Sequence, residues 1–415
     1  MTIDALGDGG DGIAEPDTRR IYVPWTLPGE RVRARRTAPH HAIPMEWLVH
    51  ADIRAEPACP HFAACGGCAL QHLQPGFYAQ WKRARAHTAV IAAGFPDVAI
   101  APLVSSPASS RRRATLAARR TRDGVTLGFH APTSTEVIDV TVCPVLVPEI
   151  ATNLDALRAA LKEVLTVTQR CDLAITSTET GLDVLVIGGV ARDRLSHLAS
   201  TLDLARLSLA RAAGTGGELI ALNRTPRVRF GDVAVEPPPH AFLQATQAGE
   251  HAITSAVLAG LGPARRVLDL HAGCGTLTLP IAQRAHVLAV DVAADSLTAL
   301  DAAARRAGLG AQVKTMARDL VRRPLLGTEL DGYDAIVFDP PREGARAQAA
   351  ALAASAVPRI IAVSCNPTSF VADAMLLRGG GYRLEQLSPI DQFLWSPHVE
   401  LVGVFSRPRA ARRRR

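Results

Sequence analysis

Residues Val267 to Thr276 read VLDLHAGCGT, and this stretch decides the fold of the C-terminal part of the chain. An apolar run passes here into a loop with Gly273 and Gly275, and a helix-like pattern follows. Glycines at a strand-to-helix junction let the backbone turn tightly and approach a ligand closely. The stretch therefore predicts a β-α unit whose loop binds a cofactor.

Short apolar runs alternate with amphipathic helical patterns on both sides of this loop, from about residue 239 onward. Such alternation is typical of β-α-β units and a doubly wound, mainly parallel sheet. The predicted strands are Arg266–Leu270, Val287–Val290, Ala335–Phe338 and Arg359–Val363. We therefore expect an α/β fold over residues 239–407.

The rest of the chain shows different sequence patterns. The first fifty or so residues show short strand patterns, Arg20–Val23, Glu30–Arg35 and Trp47–Val49, that Pro and Gly interrupt. This pattern predicts a small β-barrel. Strand-like and helix-like runs between about residues 114 and 235 indicate an α+β middle domain. A chain of 415 residues favours two or three domains. The predicted division is 1–54, 55–238, 239–407 and a basic tail, 408–415.

The formal net charge is +7, and almost all basic residues are arginines in clusters. Clustered arginines suit a polyanion such as RNA, although an arginine-rich solvated surface is the alternative. No run reaches the roughly 18–20 apolar residues of a membrane span, and the acidic, glycine-rich start is unlike a signal peptide. We expect a soluble, cytoplasmic monomer with no membrane association. The clusters are Arg31–Arg36, Arg111–Arg113, Arg119–Arg122 and Arg412–Arg415.

Three acidic residues are candidates for the cofactor site. Asp269 ends the first strand, where it can meet the amino-acid end of a cofactor. Asp291, roughly twenty residues further on, suits ribose hydroxyls, and the DxxxGxG spacing suits S-adenosylmethionine better than a dinucleotide. Asp319 follows the next helix and is a candidate for the adenine edge, or an exposed loop acid.

Two further motifs follow strands of the same predicted sheet. Asp339-Pro-Pro-Arg342 comes after one strand, and Ser364-Cys-Asn-Pro367 follows the next. Since parallel strands end at one edge, Cys365 should lie near Asp339 and could act as a nucleophile. A buried structural thiol is the alternative. Glu400, in His398-Val-Glu400 near the end of the chain, is either functional or an acid on an edge strand.

Seven cysteines, without a secretory signal, do not suggest a disulfide framework. Cys59, Cys65 and Cys68 stand in a glycine-containing CxxxxxCxxC run, and Cys143 is the best distant fourth ligand. Four thiolates can hold zinc or an iron–sulfur cluster. The three-plus-one spacing favours the cluster, because zinc usually takes its ligands as two close pairs.

The glycine loop, DPPR, SCNP and HVE, in this order, resemble the RNA 5-methyluridine methyltransferase family over nearly the whole chain. The resemblance implies that Cys365 is the nucleophile and Glu400 the base. It also implies a Rossmann-like methyltransferase domain preceded by an OB-like TRAM barrel and an iron–sulfur-containing α+β domain. The family pattern adds Gln244 and Asp339 to the predicted S-adenosylmethionine site. The predicted site then comprises Gln244, His271, Thr276, Asp291, Asp319 and Asp339.

This sequence departs from the family pattern at three of those positions. His271 and Thr276 stand where relatives commonly have an aromatic residue and Asn, and Asp291 stands where Glu is usual. The cysteine run, by contrast, resembles that of the members that modify 23S ribosomal RNA and carry a [4Fe–4S] cluster, RlmD before RlmC. That part of the resemblance implies a cluster on Cys59, Cys65, Cys68 and Cys143.

The sequence therefore predicts S-adenosylmethionine-dependent methylation of uracil carbon 5 in RNA, with 23S ribosomal RNA as the first choice of target. Three alternatives remain open at this point. The chain could modify transfer RNA, it could methylate an adenine nitrogen, or it could be a non-catalytic RNA-binding iron–sulfur protein.

Overall fold

The computed structural model describes residues 1–15, 19–214 and 216–407. The predicted basic tail, 408–415, lies outside the described residues. No helix within the described ranges is both long and apolar enough to cross a membrane.

The N-terminal part is a five-stranded sheet in the order β1-β2-β3-β5-β4. Its small core contains Ile3, Ile21, Val23 and Val32. The strands expected near residues 20–23, 30–35 and 47–49 are confirmed, and the last two extend into a long hairpin. The strands are β1 Ala5–Leu6, β2 Gly12–Ala14, β3 Ile21–Val23, β4 Arg31–Ala38 and β5 His41–Val49.

The middle part contains a seven-stranded sheet in the order β10-β9-β8-β11-β12-β13-β14, with helices packed against it. This mixture of elements confirms the α+β expectation. A separate hairpin, β15 with β16, follows it. The strands are β8 Arg113–Arg120, β9 Val125–His130, β10 Val137–Asp139, β11 Arg170–Thr178, β12 Gly181–Ile187, β13 Arg206–Ala210, β14 Glu218–Leu222, β15 Val228–Phe230 and β16 Val233–Val235. The helices are α2 Pro148–Ala151, α3 Leu154–Val164 and α4 Arg192–Thr201.

The C-terminal sheet has the order β19-β18-β17-β20-β21-β23-β22. Strands β17 to β21 are parallel, and β23 runs antiparallel between β21 and β22. The expectation of a mainly parallel sheet is confirmed. The strands are β17 Arg266–Leu270, β18 His286–Asp291, β19 Val313–Ala317, β20 Ala335–Phe338, β21 Arg359–Ser364, β22 Arg383–Asp391 and β23 Glu400–Ser406.

Helices cover both faces of this sheet, which makes three layers. Helices α5 to α7 contribute to the core on one face, and α8 and α9 to the core on the other. The helices are α5 Gln247–Leu261, α6 Thr278–Ala282, α7 Ala294–Arg306, α8 Arg346–Ala354 and α9 Pro367–Gly379, with a 3₁₀-helix at Gly327–Leu330.

Residues 75–105 fall within the predicted middle domain, 55–238, but the structure assigns them to the C-terminal sheet and its helices. Helix α1, Pro75–Ala92, and the short strands β6, Ala99–Ile100, and β7, Val104–Ser105, join the C-terminal sheet. The small buried face of α1, with Ala86, lies in the same core as α9. Alanines permit close packing on many partners, so the sequence does not reveal which sheet this helix covers.

The chain order reverses between β17 and β20, which lie side by side in the middle of the sheet. In open α/β sheets, ligands bind beyond the carboxyl ends of the strands at such a point. The glycine loop follows β17, and Asp339-Pro-Pro-Arg342 follows β20. The fold thus brings the predicted cofactor loop and the DPPR motif together.

Candidate active site

Cys365 lies between the end of β21 and the start of α9. The next two residues start this helix, because the side chain of Asn366 accepts a hydrogen bond from the Thr368 amide at 3.1 Å and Pro367 occupies the first helical turn. The Asn366 side chain also donates to the Arg342 carbonyl oxygen at 3.1 Å. The SCNP and DPPR loops are therefore joined, and Cys365 is left half-buried at the sheet edge.

Glu400 faces this position from the neighbouring strand. Ser364 of β21 pairs with Leu401 of β23, so Cys365, which follows Ser364, and Glu400, which precedes Leu401, lie at the same end of these antiparallel strands. Burial, together with the charges of Glu400 and Asp339, raises the pKa of the Cys365 thiol to about 11. In this arrangement the free thiol keeps its proton near neutral pH.

Two glutamine side chains join Asp339 to Glu400 through hydrogen bonds. The Gln244 side-chain amide donates to Asp339 at 2.9 Å. Gln392 Nε2 donates to Gln244 Oε1 at 2.7 Å and to Glu400 at 2.8 Å. The Ala245 backbone amide donates to Gln392 Oε1 at 2.8 Å.

This backbone amide fixes the orientation of both glutamines. Because Ala245 N–H can only donate, Gln392 must turn its oxygen to it and its NH₂ group to Glu400. Gln244 then turns its oxygen to Gln392 and its NH₂ group to Asp339. Both carboxyl groups are therefore held as hydrogen-bond acceptors.

Burial raises the pKa of Glu400 and of Asp339. The negative charge of Asp339 raises the pKa of Glu400 further, whereas the hydrogen bond from Gln392 opposes this. A carboxylate with a raised pKa binds a proton more strongly than one in water. Glu400 is thus a stronger base than an exposed glutamate, and it is only 2 % exposed.

The loop after β17 is shaped by its glycines and by Asp291. Gly273 and Gly275 have positive φ angles of 53° and 95°. A Cβ atom at Gly275 would lie 2.3 Å from Leu300 Cδ1, so a larger residue does not fit there. Asp291 accepts hydrogen bonds from the amides of Gly273 at 2.9 Å and Ala293 at 2.8 Å.

Two polar atoms in this region are buried and lack a protein partner. Within the described residues, Asp269 Oδ1 and His271 Nε2 make no hydrogen bond. Leaving such an atom unpaired costs about 1–3 kcal/mol, so both positions fit a ligand that supplies polar groups. The pKa of Asp269 is raised to about 7 by burial, and the other oxygen accepts from Thr278 at 2.5 Å.

The remaining predicted cofactor residues lie around the same loop. His271 interacts electrostatically with Asp291 and Asp319. Asp319 accepts hydrogen bonds from the amides of Val321 at 3.0 Å and Arg322 at 3.1 Å, which stabilises its own turn. Thr276 is half-buried just after Gly275. The cofactor roles of these residues stay predictions.

The four predicted metal ligands, Cys59, Cys65, Cys68 and Cys143, line one cavity of about 640 Å³ together with Cys365. All four are free thiols. Burial, together with the other three thiols, raises the pKa of Cys68 to about 12. The three cysteines of the CxxxxxCxxC run and the distant Cys143 are therefore brought to the same cavity.

In the part of the chain that the structure describes, no three His, Cys, Asp or Glu side chains are placed to hold one metal ion. The four thiols nevertheless line the same cavity, and the backbone amide of Gly67 donates to the Cys65 sulfur at 3.4 Å. These features fit a larger, sulfur-ligated group.

The Arg111–Arg113 run differs from the expectation of an RNA-binding segment. Arg112 is buried and forms an ion pair with Glu250, and Arg113 donates to the carbonyl oxygen of Leu243. Both side chains connect the middle part to the segment that carries Gln244. Only Arg111 of the three lines the cavity.

Gln392 was not identified from the sequence, although it connects Gln244 to Glu400. The available signal was the polar pair Asp391-Gln392 directly after an apolar strand pattern. Its partners come from residues 244 and 400, and no local pattern indicates that these segments meet.

Comparison with known proteins agrees with this geometry. Residues 239–408 match the family described as tRNA (Uracil-5-)-methyltransferase. A Brucella suis protein named as an uncharacterized RNA methyltransferase is 46 % identical over 99 % of this chain and 98 % of its own length. The 23S rRNA (uracil(1939)-C(5))-methyltransferase RlmD of Alkalilimnicola ehrlichii is 33 % identical over 98 % of this chain and 96 % of its length.

A solved structure supports the fold over the full chain. The Pyrococcus abyssi tRNA (uracil-54, C5)-methyltransferase, crystallised with S-adenosyl-L-homocysteine, has a TM-score of 0.74 and covers 98 % of this chain and 99 % of its own. Its sequence identity is 21 %, so it is evidence for the fold alone. The family match and the full-length relatives agree with the joined SCNP and DPPR loops. The chain therefore belongs to the family of S-adenosylmethionine-dependent RNA (uracil-5-)-methyltransferases.

Proposed function

We propose that this chain methylates carbon 5 of a uracil in 23S ribosomal RNA, with Cys365 as nucleophile and Glu400 as base. The observation that supports this chemistry is the pairing of Ser364 with Leu401, which Cys365 follows and Glu400 precedes at the same sheet edge. Methylation of an adenine nitrogen needs no cysteine at that position, so the pair favours carbon 5 of uracil.

Carbon 5 of uracil is a weak nucleophile, and the pair overcomes this in three steps. The half-buried Cys365 thiol gives its proton to water, its sulfur bonds to carbon 6, and the electron pair of the 5,6 double bond moves into an enolate. Bound S-adenosylmethionine supplies the methyl group that carbon 5 accepts. Glu400 then removes the carbon 5 proton, the double bond re-forms, and the bond between sulfur and carbon 6 breaks.

Asp339 and Gln244 support this chemistry. Their hydrogen bond and the Gln392 link hold both side chains in one orientation. The residues proposed to hold the cofactor are Gln244, His271, Thr276, Asp291, Asp319 and Asp339, with Asp269 beside them. The target uracil has to leave any base stack to reach Cys365.

Two observations favour ribosomal RNA as the target. The full-length similarity to RlmD is one, and the four cysteines beside the catalytic cavity are the other. We expect 5-methyluridine to disappear from one position of 23S ribosomal RNA when the gene is deleted, and to return with the wild-type gene. Mapping 5-methyluridine in ribosomal and transfer RNA checks this. Loss from transfer RNA alone would contradict the assignment.

Cys59, Cys65, Cys68 and Cys143 are proposed to hold a [4Fe–4S] cluster. We expect protein purified without oxygen to contain about four iron atoms per chain and to absorb broadly in the visible range. Cys143→Ser should lose most of this iron, since three ligands remain, while Cys171→Ser, outside the cavity, should keep it. Iron-free protein, or zinc bound in its place, would contradict the proposal.

A further inference from the structure

Lys82 is a buried lysine that the proposed chemistry does not use. It lies on α1, its exposed fraction is zero, and its ammonium group has three acceptors. These are Asp391 Oδ1 at 2.8 Å, the Phe393 carbonyl oxygen at 3.4 Å and the His398 carbonyl oxygen. All three belong to one short stretch, residues 391–398.

That stretch connects β22, which ends at Asp391, to β23, which begins at Glu400. Lys82 contacts this connection near both of its ends, at Asp391 and His398, and so holds the two ends together. The His398 carbonyl is two residues before Glu400. Only Val399 lies between this carbonyl and Glu400, and its full burial restricts the backbone there, so a shift of the carbonyl is passed on to the start of β23.

Other groups hold the same connection from the same side. The Tyr78 hydroxyl donates to Asp391 at 2.6 Å and accepts from the Trp395 amide at 2.9 Å. The amides of Ala69 and Leu70, which follow Cys68, donate to the Trp395 carbonyl oxygen at 2.9 and 3.0 Å. Residues 392–399 are therefore held between α1 and the cysteine-containing loop.

Helix α1 also packs against α9, the helix that begins just after Cys365. One element thus supports both the nucleophile and the segment that leads to the base. An apolar side chain at position 82 would cover the same core, but it would leave the Asp391 carboxylate and two carbonyl groups without their buried donor.

We propose that Lys82 is a positioning residue for proton abstraction, whose buried ammonium group fixes residues 391–398 and thereby the place of Glu400 beside Cys365. This inference rests on the proposed role of Glu400. The side chain does not touch the reacting atoms, and its effect reaches them through the backbone of His398 and Val399.

The proposal predicts which step fails in Lys82→Met. If Glu400 is displaced, Cys365 still adds to the uracil and carbon 5 is still methylated, but the proton leaves slowly. A covalent protein–RNA adduct should then accumulate with ordinary uridine. Turnover should fall about 100-fold, the lower end of what a general base contributes. The Kd of S-adenosylmethionine should stay within about threefold, since the Lys82 ammonium group contacts none of the residues proposed to hold the cofactor.

The experiment mixes wild type, Lys82→Met and Glu400→Gln with S-adenosylmethionine and with RNA from a strain that lacks the gene. Adducts are quantified on denaturing gels. Accumulation in both variants supports the inference. Accumulation in Glu400→Gln alone, with slow turnover in Lys82→Met, would show that Lys82 acts only on stability. No accumulation in either variant overturns the role of Glu400 and this inference together.

Tyr78→Phe keeps the volume of the side chain and the charge of Lys82, and it removes two hydrogen bonds of the same connection. If Lys82→Met does not bind the cofactor, the Tyr78→Phe variant tests whether this connection positions Glu400. A smaller but measurable accumulation of adduct is expected, and its absence in folded Tyr78→Phe protein would overturn the proposal.

Discussion

Replacing Cys365 by alanine is expected to lower methyl transfer to RNA by at least about 10⁴-fold, because the variant has no nucleophile for carbon 6 and carbon 5 is not activated. Folding and cofactor binding should persist, since Cys365 is half-buried at the edge of the site and the predicted cofactor loop follows a different strand. Transfer of a labelled methyl group from S-adenosylmethionine to RNA measures the loss.

Cys171→Ala is the matched control for this prediction. Cys171 lies within strand β11 of the middle part, 5 % exposed and away from the strand ends that form the site. Its replacement should leave methyl transfer close to the wild-type rate. If Cys365→Ala remained active, the chain would methylate by a route without a nucleophile, as an amino methyltransferase does. Absence of transfer by the wild-type protein would instead favour a non-catalytic RNA-binding protein.

Glu400→Gln is expected to slow turnover by about 10²–10⁴-fold, the contribution of a general base. Glutamine has nearly the same shape, but it cannot accept the carbon 5 proton. The covalent intermediate should therefore persist after methylation, and RNA linked to protein should appear on denaturing gels with ordinary uridine. A variant that binds RNA poorly forms little adduct, whereas a variant that lacks only the base forms adduct but turns over slowly. The ratio of turnover to adduct formation therefore separates slow proton abstraction from a loss of RNA binding.

Glu385→Gln serves as the control, because Glu385 is exposed on the neighbouring strand β22. It should turn over normally and leave no adduct. Unchanged turnover in Glu400→Gln would mean that another group takes the proton. The buried Asp339, which is linked to Glu400 through two glutamines, would then be the next candidate.

Much of the C-terminal sheet could be predicted from local patterns. Strands at Arg266–Leu270 and Ala335–Phe338 follow from continuous apolar runs, and the structure has the same bounds. The edge that unites the glycine loop, Asp339 and Cys365 follows from the rule that parallel strands end on one side. The pairing of Glu400 with Cys365 needed the resemblance, because an acid before an apolar strand has no local meaning.

The parts that the sequence could not indicate depend on long-range contacts. Lys82 and Asp391 are 309 residues apart, and Gln244 and Gln392 are 148 apart. Arg112 and Arg113 look like a surface cluster, yet buried acceptors from residues 243–250 pair with them. Charge and spacing alone do not distinguish an internal ion pair from a site that binds phosphate.

The most direct test of the central claim uses RNA in which uridine is replaced by 5-fluorouridine. Fluorine cannot leave carbon 5 as a proton does, so the sulfur–carbon bond should remain after methyl transfer. We predict a stable adduct that needs S-adenosylmethionine, with mass spectrometry locating the nucleotide on Cys365 and no adduct in Cys365→Ala. A nucleotide attached to another residue, or no adduct at all from protein that methylates RNA, would contradict the account.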